Sequence, residues 1–208
     1  MKIGFVSAIL PELSFEEVID FASEEGFEAV EVACWPKGKA ERRYAGVTHI
    51  DVDELTDERV EELIRYAESK NVEISALAYY PNNMDGDLEK RKVFNDHLLK
   101  LIEAAYKLRV KNVNTFIGKI QDKNINDNMK EIHKVWDPIL KQAKKFDIKI
   151  GIENCPMFFT YDEWPEGQNI FSTPHNWKLI LDELDSKDLG INYDPSHQIL
   201  QGMDYVQP

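Results

Sequence analysis

Lys149-Ile150-Gly151-Ile152-Glu153-Asn154-Cys155-Pro156 is a short apolar run whose last residues turn polar and acidic. Leu189-Gly190-Ile191-Asn192-Tyr193-Asp194-Pro195-Ser196-His197 repeats the design further along the chain. Each reads as a buried parallel strand, because parallel strands are covered on both faces and show near-continuous apolar runs. In folds built from such strands, ligands gather beyond the C-terminal strand ends. Two carboxylates and an imidazole placed there, Glu153, Asp194 and His197, suit a hard-metal or acid/base site.

Working outward, the same unit recurs. Ile3–Val6 reads as the first strand, and Ser14 with Glu17 three residues on forms a capping-box signature. Phe15, Val18, Ile19 and Ala22 then make an apolar helical stripe that Gly26 ends. Ala29–Val32 is the second strand, followed by a long loop over Lys37–Asp53 without a clear period. Thr56 caps a second helix carrying Val60, Leu63, Ile64 and Ala67. Val72–Leu77 is the third strand, a helix follows over Leu88–Leu108, and Val113–Ile117 is the fourth strand. A helix over Asn126–Phe146 contains Pro138, which predicts a kink or break there. Ile148–Ile152 is the fifth strand, and Met157–Phe171 is an aromatic and acidic loop. Thr173-Pro174 opens a further helix, and Leu189–Tyr193 is the sixth strand. The eleven residues after His197 show no helical pattern.

The chain has 208 residues, a 43% apolar content and a formal net charge of -13. That length and apolar content support one substantial domain with a real core, read as residues 1–208. The acidic balance repels nucleic acid, and no Lys/Arg cluster offsets it. Two cysteines, Cys34 and Cys155, are too few for a disulfide scaffold, so a cytoplasmic setting is expected. The N-terminus runs straight into a strand, and no apolar run reaches membrane-crossing length.

Six strand–helix units admit two closures: an open, doubly wound sheet, or an incomplete (β/α)8 TIM barrel, which typically takes ~250 residues when whole. No Gly-x-Gly-x-x-Gly run follows the first strand, so a dinucleotide fold has no motif behind it.

Lys2-Ile3-Gly4-Phe5, Tyr79-Tyr80-Pro81-Asn82-Asn83, Gly151-Ile152-Glu153-Asn154 and Asp194-Pro195-Ser196-His197 together resemble the xylose-isomerase-like TIM-barrel superfamily. Its members include sugar phosphate isomerases/epimerases, ketose 3-epimerases, inosose dehydratases and endonuclease IV. The resemblance implies a divalent metal, Mn2+, Mg2+ or Co2+, with Zn2+ as a further choice. It places Glu153 and Asp194 as metal ligands ending the fifth and sixth strands. His197 then contacts substrate, as in the epimerases, or the ion, as in the endonuclease branch. The seventh-strand His and eighth-strand Glu of that pattern have no counterpart here. No histidine stands at the ends of strands three or four, which with the acidic charge argues against DNA repair.

Glu153 and His197 are thus the candidate catalytic residues, for proton transfer through an enediolate on a small sugar or sugar phosphate. An inosose-dehydratase-like lyase and a non-catalytic sugar-binding protein are the alternatives. Trp35, Tyr79 and Phe116 near the strand ends suit either a sugar ring or packing at the barrel mouth. Asn82 fits a sugar hydroxyl or a turn, and Asn154 fits substrate contact or the orientation of Glu153. Cys155 reads as small apolar filling. A six-stranded barrel leaves an open edge. The chain is therefore expected to form a homodimer along that edge or to be poorly soluble, with little isomerase activity by itself.

Overall fold

The computed structural model describes residues 1–38, 45–158 and 167–208. Its strands are β1 (Gly4–Val6), β2 (Ala29–Ala33), β3 (Glu73–Ala78), β4 (Asn112–Thr115), β5 (Lys149–Glu153) and β6 (Leu189–Asn192). The helices are α1 (Phe15–Glu24), α2 (Asp57–Ser69), α3 (Leu88–Lys107), α4 (Ile125–Met129), α5 (Ile132–Phe146), α6 (Pro174–Leu184) and α7 (Pro195–Leu200). The strands lie in the order β1-β2-β3-β4-β5-β6, and the pairs β1–β2, β2–β3 and β5–β6 are parallel. A doubly wound sheet reverses its strand order at a switch point. This order has no reversal, so the chain is an incomplete (β/α)8 barrel with six βα units.

The chain divides into two compact units. The first contains Met1–Tyr79, Leu99–Val113 and Phe146–Ile148. Here α1 starts with the expected capping box: Ser14 Oγ accepts from the Glu17 N–H, and the Ser14 N–H donates to the Glu17 carboxylate at 2.7 Å. Its buried face is Phe15, Val18, Ile19 and Ala22. Thr56 Oγ1 caps α2, which buries Val60, Leu63, Ile64 and Ala67. Burying a Leu or Ile fully stabilises by roughly 1.5–3 kcal/mol, so these stripes fix both helices on the sheet. The loop residue His49 is a structural clamp. Its Nε2 donates to the Leu10 carbonyl at 3.2 Å, which leaves Nδ1 to accept from Ser7 Oγ at 2.8 Å. Ser7 Oγ accepts in turn from the Ala33 N–H, tying the end of β1 to the end of β2. Burial holds the His49 pKa below the usual histidine range, consistent with the neutral tautomer those bonds require.

The second unit contains Tyr80–Leu98, Asn114–Lys145 and Lys149–Pro208. β5 and β6 pair in register from Ile150↔Leu189 to Glu153↔Asn192, so the two polar strand ends finish side by side. Two features differ from the sequence reading. The expected break at Pro138 falls instead at residues 130–131, and α5 runs on through Pro138. Pro138 is exposed, as is Lys134, whose carbonyl loses its i+4 donor to the proline, so water can satisfy that group. Residues after Asp194 do form a helix, α7, with Asp194 Oδ1 accepting from the Ser196 N–H at 2.8 Å and Pro195 in the first turn. Six residues are too few to show a period.

On the outer face of this unit, His133 of α5 bridges two carboxylates. Nδ1 lies 2.9 Å from Asp137 Oδ1 of the same helix, and Nε2 lies 3.0 Å from Glu183 Oε1 of α6. Asp137 first, and then Glu183, raise its pKa above 6.5. A raised folded value means the bridge is fully stabilising below the unfolded pKa of about 6.5 and is lost as pH rises through the folded value. A proton NMR titration of His133 is expected to show a midpoint above the ordinary value. In His133→Gln, stability should lose its decline across that window. A midpoint at or below the ordinary value contradicts the bridge.

Candidate functional site

The site is built on the paired ends of β5 and β6. Glu153 closes β5, and Asp194 stands two residues beyond β6 as the N-cap of α7. One turn into α7, His197 points back at the strand end: its Nε2 lies 3.0 Å from Glu153 Oε1 and 3.4 Å from Asp194 Oδ2. The His197 and Glu153 side chains are each 19% exposed, shielded but within reach of a ligand. Cys155 completes the cluster. A carboxylate oxygen of Glu153, Cys155 Sγ and a ring nitrogen of His197 lie within 4.8 Å of one another. Burial disfavours the His197 imidazolium, but the Cys155 sulfur and then the Glu153 carboxylate favour it more, and its pKa is pushed up to about 10.

Asn154, fully buried, sets the geometry between the two strand ends. Its Oδ1 accepts from the Asp194 N–H at 2.7 Å and its Nδ2 donates to the Asp194 carbonyl at 2.9 Å. Both ends of the amide are therefore spent on the backbone of Asp194, which sets where α7 begins and so where His197 points. Asn169 does the same from behind: its Nδ2 donates to the carbonyls of Glu153 (3.1 Å) and Cys155 (2.7 Å), and its Oδ1 accepts from the Gly118 N–H. Across the sheet, Asn192 Nδ2 donates to the Tyr80 hydroxyl at 3.1 Å, and the Tyr80 ring meets Phe116 at 4.9 Å between centroids. Asn82 is tied to the backbone. Its Nδ2 donates to the Lys119 carbonyl, while Oδ1 accepts from the Lys119 and Met84 N–H groups. Trp35 and Tyr79 belong to the first unit, where they meet edge to face at 5.8 Å.

The structure thus brings Glu153, Asp194, His197 and Asn154 together, with Asn82 and Phe116 elsewhere in the same unit. Sequence reasoning missed Asn169 and treated Cys155 as filling. A signal for Cys155 was present, since residues two apart at a strand end share a face. Asn169 left no such signal.

These donors fit a divalent ion. Ligand atoms at ~2.1 Å from a metal and at cis or tetrahedral angles lie about 3.0–3.4 Å apart. The two N···O separations at His197 Nε2 match that spacing. Glu153 and His197 would hold the ion, with Cys155 Sγ and Asp194 Oδ2 as the further donors nearest them.

The chain belongs to the xylose isomerase-like TIM barrel family, whose sequence pattern matches residues 19–207. An uncharacterized protein of Methanocaldococcus jannaschii is 24% identical over 203 residues, which cover 95% of this chain. The chain spans 61% of the length of that relative. Among solved structures, a probable 3-DHS dehydratase from Bacillus anthracis superposes with a TM-score of 0.72 at 20% identity, covering 99% of this chain and 67% of that one. A D-psicose 3-epimerase from Clostridium cellulolyticum H10 gives 0.69 at 16% identity, covering 96% and 65%. At these identities the likeness is one of fold. Among the described residues, no helix is long and apolar enough to cross a membrane.

Proposed function

We propose that the protein is a metal-dependent isomerase or epimerase acting on a small sugar or sugar phosphate. The observation that carries this reading is the convergence of Glu153, Asp194 and His197 at two adjacent parallel strand ends. Family membership and epimerase-like fold neighbours support it. When bound, a divalent ion such as Mn2+, Mg2+, Co2+ or Zn2+ would polarise the oxygens of a hydroxy-ketone. Glu153 would take the proton from the carbon beside the carbonyl, giving an enediolate, while His197 Nε2 would help hold the ion that faces the developing oxygen charge. Asn154 orients the strand ends through its two bonds to the Asp194 backbone, and Phe116 and Asn82 lie in the same unit. The setting proposed is the cytoplasm. The exposed Ile191, Ile199 and Leu200 at the β6 and α7 end favour a homodimer that covers them.

The test is hydrogen exchange. A panel of ketoses and ketose phosphates is incubated with the 208-residue chain in D2O with Mn2+. Slow incorporation of deuterium at one carbon beside the carbonyl is expected, in keeping with the little isomerase activity expected of this chain by itself. In Glu153→Gln, exchange is expected to fall at least ~100-fold, as for loss of a general base. Equal exchange by both proteins contradicts the assignment. Loss of water from the substrate instead would favour the lyase alternative, to which the dehydratase-like fold neighbour lends weight.

A further inference from the structure

Cys155 has no role in the proton-transfer chemistry above, yet its sulfur sits in the cluster. We propose that Cys155 Sγ is itself a ligand, so that Glu153, Cys155 and His197 form a mixed carboxylate, thiolate and imidazole site selecting Zn2+ or Co2+ over Mg2+ and Mn2+. This rests on the metal site proposed above and specifies which ion that site prefers.

The geometry supports a ligand. Three different donor types, from β5, from the turn after it and from α7, have atoms within 4.8 Å of one another. At a tetrahedral angle, Zn–S and Zn–N bonds of about 2.3 and 2.0–2.1 Å place sulfur and nitrogen roughly 3.6 Å apart, so side-chain shifts of about 1 Å close the set. Three protein ligands with a fourth position left over is the arrangement of catalytic zinc sites. Asp194 Oδ2, on the His197 side, or a substrate oxygen can take that position.

The backbone that presents the sulfur is held in place before any ion arrives. The Asn169 amide pins the carbonyls on both sides of Asn154. The Gln168 N–H donates to the carbonyls of Pro156 and Met157, with Met157 at a φ of +54°. The Met157 N–H also points at Cys155 Sγ, at 3.4 Å. Soft thiolate selects zinc-like ions, whereas all-oxygen sets suit Mg2+ and Mn2+. Cys34 is the internal contrast. It is completely buried, and burial pushes its thiol pKa far up, which disfavours the thiolate that binds metal and reacts.

The experiment is Co2+ titration of the purified chain followed by absorption. Wild type is expected to show a near-ultraviolet thiolate-to-cobalt band together with visible d–d bands. Cys155→Ser is expected to keep the d–d bands and lose the near-ultraviolet band, with Zn2+ affinity falling about tenfold or more. A second measurement needs no variant: Zn2+ should slow iodoacetamide labelling of Cys155, while Cys34 stays unlabelled with or without the ion. Visible bands without the thiolate band in wild type would overturn the proposal and leave the metal-dependent isomerase reading standing. Failure of both Co2+ and Mn2+ to bind would overturn both.

Discussion

Gly118→Ala is expected to destabilise the protein by ~3 kcal/mol or more. Gly118 has a φ of +91°, and a Cβ built there would lie 2.4 Å from Asn82 Oδ1, 2.5 Å from Met84 N and 2.7 Å from Asn83 N. Two of these three atoms are backbone, so no rotamer change relieves the clash. The third belongs to the Asn82 side chain, which accepts from the Lys119 N–H at 2.7 Å and from the Met84 N–H at 3.2 Å. The residue's own N–H and carbonyl are also engaged, with Asn169 Oδ1 and the Ile170 N–H. Left-handed strain adds about 1–2 kcal/mol, overpacking about 1–3 and broken buried hydrogen bonds about 1–3. Gly26→Ala is the control. Its φ is +79° but a Cβ meets nothing within 4 Å, so only the conformational part, ~1–2 kcal/mol, should appear. Urea denaturation of the two variants separates the contributions. Equal losses would contradict the steric account.

Asn154→Ala is expected to cost about 2–4 kcal/mol and to weaken divalent-ion binding roughly 10- to 100-fold. Its amide is bonded at both ends to the backbone of Asp194, and alanine leaves those groups without their partner in a fully buried position. The second effect follows from the first. Asp194 starts α7, and α7 carries His197, so a loosened strand end lets the imidazole drift from Glu153. Calorimetry and urea denaturation on the same preparation check both. A destabilised variant with unchanged ion affinity would show that Asn154 supports the fold without aligning the ligands.

The scaffold was legible in the sequence where local chemistry is self-sufficient. The Ser14/Glu17 box, the Thr56 and Thr173 caps and the four-residue apolar stripes each identify an element from its own residues. Glu153 and Asp194 were legible because polar residues at or just after apolar strands stand at strand ends, and His197 because it follows Asp194 by three residues. What escaped depended on distance in the chain. Only the folded backbone shows Cys155 beside Glu153 and His197, which lies 42 residues further along the chain. The two-ended bond from Asn154 to Asp194 depends on the β5–β6 register, which no residue pattern states. Pro138 misled because proline's penalty depends on which side of the helix it faces, and here it faces out.

The central claim is that a divalent ion binds at the joined ends of β5 and β6 through Glu153. Its most direct test is calorimetric titration of Mn2+ and of Zn2+ into wild type and Glu153→Gln. The amide keeps the shape and removes the charge. Saturable binding of at least one ion to wild type is expected, with affinity reduced at least ~100-fold in the variant, equivalent to about 2.7 kcal/mol. Equally tight binding of that ion by both proteins would contradict the claim.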